Sequence, residues 1–364
     1  MTMMSDIEEA TRLTRAGRLA EATALLRRAL SGAAEPQPAA TATKPAPPRG
    51  RIFDVPPEAM DAIADPMRTL RDRMRPHTPP PVADGARFLS LSCRIAADSR
   101  DFRLYIPARK PAAPAPLLVM LHGCTQSPED FAAGTRMNEW AEERGMLVAY
   151  PAQTQGANAQ RCWNWFDAAQ QRRSGTETAL IAAIARQVMR DQAVDPRRVY
   201  VAGLSAGGAA AAILGQAYPD IFAAVGVHSG LPAGAARDIP SAFAAMRQGG
   251  AAPAAKRLVP TIVFHADKDA TVHPRNGDAV LAQQEAATTG LSLSEERGQA
   301  PGGHAFTRRQ QRDASGRPVL EQWVVHGGGH AWSGGDAAGS YTDPRGPDAS
   351  RAMLDFFDQH RLNR

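Results

Sequence analysis

An α/β fold is the architecture this sequence predicts: a mostly parallel central sheet covered by helices, with an N-terminal helical extension. Three observations carry that reading. From Gly85 onward, short runs rich in Val, Leu, Ile and aromatic residues alternate with segments of helical period. The Val-rich run at Val199 to Ala202 passes through a tight turn, Gly203-Leu-Ser205-Ala-Gly207, into an alanine-rich stretch. The chain has 364 residues, 43% hydrophobic and 22% charged, enough for a large core. A small disulfide-held scaffold and a wholly disordered chain are thereby excluded.

Taken in order, Ile7, Leu13, Leu19, Leu26 and Leu30 recur near helical period with Gly17 between two arms, which predicts a helical hairpin over residues 1–32. Residues 33–85 are Ala/Pro-rich, as an extended linker would be, with room for one short helix between Asp54 and Arg73. The compact domain is expected at 86–364. It opens with an antiparallel pair, Phe88 to Arg94 and Phe102 to Pro107. Core strands follow at Leu117 to Leu121, Met146 to Tyr150, Val199 to Ala202, Ala223 to Val227, Thr261 to Phe264 and Leu320 to Val325. The helical runs between them are Pro128 to Arg144, Glu177 to Gln192, Ala206 to Ala217, Arg275 to Ala287 and Ala349 to Arg361. The segment from Gly230 to Leu258 reads either as a cap over a site or as a surface insertion.

A formal net charge of +5 suggests an anionic partner, but all except four of the 42 cations are arginine, spread along the chain among acids. That distribution fits a solvated surface rather than a nucleic-acid footprint, so no nucleic acid is expected as partner. No run reaches the roughly 20 apolar residues of a membrane span. Asp6, Glu8 and Glu9 stand where a signal peptide would be basic, so a cytoplasmic location is expected. Cys93, Cys124 and Cys162 lack the spacing of a zinc site and leave room for one bridge and one thiol. No metal and no cofactor is expected.

The turn around Ser205 is the strongest chemical signal. A nucleophile elbow needs glycines two before and two after the serine because a Cβ there would strike the neighbouring strand or helix. A serine hydroxyl also needs a base, and the base needs an acid; on this architecture they follow in the order Ser, Asp, His. The strand at Thr261 ends in His265-Ala-Asp267-Lys-Asp269, and the strand at Leu320 ends in His326-Gly-Gly-Gly-His330. Asp269 is placed to curl back toward an imidazole, with Asp267 as the alternative that braces the turn. His330 follows three glycines that let it reach the serine, whereas His326 abuts its strand. The N–H groups of Ala206 and of Cys124, which Gly123 frees to turn, are the expected oxyanion donors. Trp163, Trp165 and Phe166 either line an acyl pocket or pack in the core. His228 and His265 are expected to brace loops, and His77, His273, His304 and His360 to lie at the surface or around the site.

Leu121-His-Gly-Cys124-Thr-Gln-Ser127, Cys162-Trp-Asn-Trp165-Phe166, Gly203-Leu-Ser-Ala-Gly-Gly208, Asp269-Ala-Thr-Val272 with Pro274-x-Asn276-Gly277, and Gly329-His-Ala-Trp332 occur in that order. Together they resemble the polyhydroxybutyrate depolymerase-type esterases of the α/β-hydrolase fold, over roughly Phe88 to Arg361. The resemblance implies a catalytic domain at 86–364, a Ser205–Asp269–His330 triad, an oxyanion hole including Cys124 N–H, and short-chain or 3-hydroxybutyrate-type esters as substrates. Feruloyl or acetyl-polysaccharide esters are the alternative, and a non-catalytic binding protein on the same fold is the rival. It adds Trp332 to the substrate-binding candidates, and an extracellular location, as in secreted members, as the second possibility. It also places Cys124 beside Cys162, with Cα atoms expected about 5 to 6 Å apart and the pair oxidised only if the protein is exported. Cys93 is then the unpaired thiol.

Overall fold

The computed structural model describes residues 80–109 and 114–363. The expected hairpin over 1–32, His77 and nearly all of the expected linker lie outside them. Strands β1 (Arg87–Ile95) and β2 (Asp98–Ile106) form the expected antiparallel pair. β3 (Ala115–Leu121), β4 (Leu147–Pro151), β5 (Val194–Leu204), β6 (Ala224–His228), β7 (Thr261–Ala266) and β10 (Pro318–Val325) are mutually parallel. With β8 (Ser292–Gln299) and β9 (Ala305–Arg312) they make a ten-stranded sheet in the order β1-β2-β4-β3-β5-β6-β7-β10-β9-β8. Every residue of β3, β4, β6 and β7 is buried, because helices cover both faces. Alternation of side chains divides the core in two: Leu117, Val119 and Val201 face one layer, while Leu118, Met120 and Tyr200 face the other.

The helices are α1 (Pro128–Thr135), α2 (Met137–Arg144), α3 (Thr176–Asp191), α4 (Ala206–Ala217), α5 (Ile239–Gln248), α6 (Arg275–Glu285) and α7 (Ala349–Phe357). Three departures from expectation have local causes. The single helix expected over Pro128 to Arg144 breaks at Arg136, which takes a left-handed φ of 52° and turns its guanidinium onto Glu139. The last helix ends at Phe357, before Arg361. β8 and β9 escaped the hydrophobic pattern because their sequences, SLSEERGQ and AFTRRQQR, are polar. Arg309 of β9 pairs with Glu295 of β8 at 2.9 Å, and β9 joins β10 through Arg308 on Glu321 at 2.9 Å and Phe306 packed on Trp323. α5 lies within the 230–258 segment, and its end is tied to the turn after Asp269: His273 N–H donates to Met246 O (2.7 Å) and Asn276 Nδ2 to Ala245 O (2.9 Å).

Candidate active site

β5 ends at Leu204 and α4 begins at Ala206, so the reversal falls on Ser205, with φ 57° and ψ −119°. A non-glycine residue in that region is strained and persists only when its surroundings fix it. Here the fixing is visible, since Ser205 N–H donates to His228 O at 2.9 Å. The flanking glycines give the turn its room: a Cβ on Gly203 would stand 2.4 Å from the Gly207 backbone, and one on Gly207 only 2.1 Å from Leu121 O. Replacing Gly207 by Ala is therefore expected to cost about 3 kcal/mol or more, or to prevent folding. Thermal melts beside the far roomier Gly329→Ala, where a Cβ meets nothing within 4 Å, check this.

The two candidate acids divide cleanly between the two candidate bases. Asp269, buried, accepts from Thr271 N (2.9 Å) and Val272 N (2.8 Å) through Oδ1, and Oδ2 lies 2.7 Å from His330 Nδ1. Asp267, exposed, takes Gly327 N–H on Oδ1 (2.8 Å) and His326 Nδ1 on Oδ2 (2.9 Å), while His326 Nε2 meets Thr307 Oγ1 at 2.9 Å. His265 donates to Val272 O at 2.8 Å with Asp269 Oδ2 3.4 Å away, bracing the loop that carries Asp269. Burial alone would raise the Asp269 carboxyl, but its electrostatic interaction with His330 and hydrogen bonds from His265 and His330 outweigh it and hold the group well below the usual carboxylate range.

His228 links the serine turn to the His330 loop. Its carbonyl receives Ser205 N–H, its Nε2 accepts from Ser333 N at 2.9 Å, and its ring stacks between Phe264 and Trp332. The loop after β3 is held from below. His122 donates from Nδ1 to Gly123 O (2.8 Å) and accepts Gln153 N–H on Nε2 (3.1 Å). Gln126 Oε1 receives Gly123 N–H (2.9 Å), and Thr125 N–H donates to Gln160 O (2.7 Å). The sequence reading missed His122, Gln126 and Gln153; the position of His122 just after a buried strand was the available signal. Cys124 and Cys162 are disulfide-bonded, with Cα atoms 4.2 Å apart rather than the wider spacing expected, and Cys93 is buried and free.

The aromatic expectations need correction. Trp163 is 0% and Trp332 1% exposed, so neither ring is open to a substrate. Trp163 Nε1 donates to His122 O (3.0 Å), and Trp332 Nε1 to Ser350 Oγ (3.1 Å) while its ring meets Phe131 edge-on; both hold the loops around the site. Trp165 is also buried, and Phe166 is half-buried against it. His360 is another correction: it is buried against Phe356, its carbonyl accepting from Tyr200 OH at 2.9 Å. His304 pairs with Asp343 at 2.9 Å, and His273 Nδ1 accepts from Arg275 N at 3.2 Å.

Burial pushes His122 and His360 down to about 4 and His228 well below its ordinary value, so all three fold as neutral imidazoles. The unfolded chain binds a proton at each near pH 6.5, so stability is full above that pH and falls as pH drops toward 4. Each histidine adds a slope approaching about 1.4 kcal/mol per pH unit. Denaturant titrations at pH 7.5 and 5 are expected to show this loss, and His360→Phe to reduce it.

A nucleophile-elbow serine after the central strand of a parallel sheet, with an Asp–His pair on later strand ends, defines the α/β-hydrolase fold. The esterase PHB depolymerase family matches residues 100–289, and the chain belongs to that family. It is 31% identical over 243 residues to poly(3-hydroxyalkanoate) depolymerase C of Paucimonas lemoignei, covering 62% of this chain and 57% of that protein. It is 36% identical over 156 residues to a poly(3-hydroxybutyrate) depolymerase of Ralstonia pickettii, covering 39% of this chain and 32% of that protein. The alignments thus span between about a third and three fifths of those relatives' lengths. Among solved structures, an acetyl xylan esterase from Aspergillus awamori shares the fold with a TM-score of 0.55 at 19% identity, over 71% of this chain and 94% of that one.

Proposed function

We propose that the protein is a serine esterase acting on short-chain carboxylic esters, with oligomers of 3-hydroxybutyrate or related polyhydroxyalkanoates as the favoured class. The observation that carries this reading is the strained Ser205 turn together with the Asp269–His330 pair at 2.7 Å. With Nδ1 committed to Asp269, His330 keeps Nε2 for the proton of Ser205. Ser205 Oγ attacks the ester carbonyl as His330 takes that proton, and the N–H groups of Cys124 and Ala206 receive the oxyanion. Collapse breaks the C–O bond, and the alcohol leaves with the proton from His330. A water deprotonated by His330 then attacks the acyl-enzyme, releasing the acid and restoring Ser205.

Feruloyl or acetyl-polysaccharide esters are the second reading, supported by 31% identity over 128 residues to feruloyl esterase B of Neurospora crassa, across 35% of this chain and 42% of that protein. The Cys124–Cys162 bridge supports an oxidising compartment, the extracellular rather than the cytoplasmic location. Initial rates on 3-hydroxybutyrate trimer, methyl ferulate and acetylated xylan test the substrate class. The trimer is expected to give the highest kcat/KM; a preference for the ferulate or the xylan would move the assignment to the second reading.

A further inference from the structure

A cleft of about 640 Å³ opens beside the oxyanion loop, a volume suited to a small-molecule ligand. Its walls are Ser90 to Ser92 of β1, Asp101 to Arg103 in the middle of β2 where that strand pairs with the end of β4, the residues just after β4, and the Gln126–Glu129 turn that follows Cys124. Arg161, next to Cys162, completes the lining. The cleft therefore shares the carboxyl edge of the parallel sheet with Ser205, the edge where open α/β sheets bind ligands. Two of its walls, the turn after Cys124 and the segment from β4 to Arg161, belong to the stretches that the Cys124–Cys162 bridge joins.

The charges in this cleft are unevenly used. Arg103 is paired with Glu129 at 2.5 Å. Arg100 is buried beneath, bonded to Gln153 and to Ala152 O, and the Asp101 carboxylate at the wall lies within its field. Arg161 is half-buried and fixed in a left-handed backbone, φ 53°, by its N–H on Asn158 O at 2.8 Å. Among the described residues its guanidinium makes no ion pair and no side-chain hydrogen bond. A half-buried guanidinium with no partner among the described residues can present the planar fork that matches a carboxylate. Half-buried Leu91 and exposed Ser90 and Ser92 line the same cleft, an apolar side chain and two hydroxyl residues that suit the short aliphatic chain and ester oxygens leading to it.

We propose that this cleft binds the free carboxylate end of an acid-terminated oligoester, with Arg161 as the carboxylate's partner. The proposal rests on the esterase reading and makes Arg161 a specificity residue that separates acid-ended oligomers from neutral esters of the same length. Each cut within an oligohydroxyacid yields a further acid-ended chain, so such a site would favour successive shortening of soluble oligomers.

The test compares kcat/KM for the 3-hydroxybutyrate trimer as free acid and as its methyl ester at neutral pH, with p-nitrophenyl butyrate as reference. In Arg161→Gln the acid-to-methyl-ester ratio is expected to fall about tenfold, through KM, as for loss of one charge-assisted contact. Arg161→Lys should recover part of the ratio, Asp101→Asn should raise it, and added salt should lower it in the wild type. Because the ratio is taken within one preparation, partial misfolding does not alter it. An unchanged ratio in Arg161→Gln overturns the proposal, whether both rates hold or both fall, and so does a wild type that cleaves p-nitrophenyl butyrate but not the acid trimer. A wild type that cleaves none of the three instead sinks the esterase reading.

Discussion

Ser205→Ala is expected to lower kcat on p-nitrophenyl butyrate by about 10⁴-fold or more, with KM little changed and the thermal melt near that of the wild type. The size follows from the chemistry: without Oγ no acyl-enzyme forms, and only the oxyanion donors remain to stabilise attack by water. Fold retention follows from the geometry, since the backbone hydrogen bond from Ser205 N–H to His228 O survives the change and Ala removes one half-exposed oxygen. Strain at φ 57° is the same for either residue. Activity near the wild-type level would mean that another group is the nucleophile.

The second large effect separates the two carboxylates. Asp269→Asn is expected to cost about 10⁴-fold in kcat, because an amide at 2.7 Å from His330 Nδ1 would present N–H where the ring needs an acceptor, favouring the wrong tautomer. Asp267→Asn is expected to change kcat less than about threefold, since its partner His326 points to Thr307 rather than to the serine turn. Its cost should appear as a lower melting temperature, and His326→Ala should share it. Comparable kinetic losses at the two positions would show that the acid has been assigned wrongly.

Much of this was legible in the sequence because the site obeys local rules. The glycines at 203 and 207 announce a turn with no room for a Cβ, and the contacts that a Cβ would meet there bear that out. The apolar strands β3, β4, β6 and β7 were legible because each is buried on both faces. The polar hairpin of β8 and β9 was not, because cross-strand charges and one aromatic contact replace the hydrophobic signal. The break at Arg136 was hidden for a related reason, as its left-handed backbone is held by tertiary context and a Glu139 pair rather than by a glycine. Aromatic roles were the least legible: a Trp beside a catalytic motif reads the same whether it faces a substrate or, like Trp163 and Trp332, spends its N–H on fixing a loop. His122 and Gln153 support the Cys124 loop through a hydrogen bond between strand ends distant in sequence, which no periodicity encodes.

The central claim, that Ser205 is an activated nucleophile, is tested most directly by intact-mass spectrometry and peptide mapping after treatment with a fluorophosphonate. One adduct per chain is predicted, located on the peptide containing Ser205, formed far more slowly in His330→Ala and lost in Ser205→Ala. No adduct on the wild-type protein, or an adduct on another residue that persists in Ser205→Ala, would contradict the account.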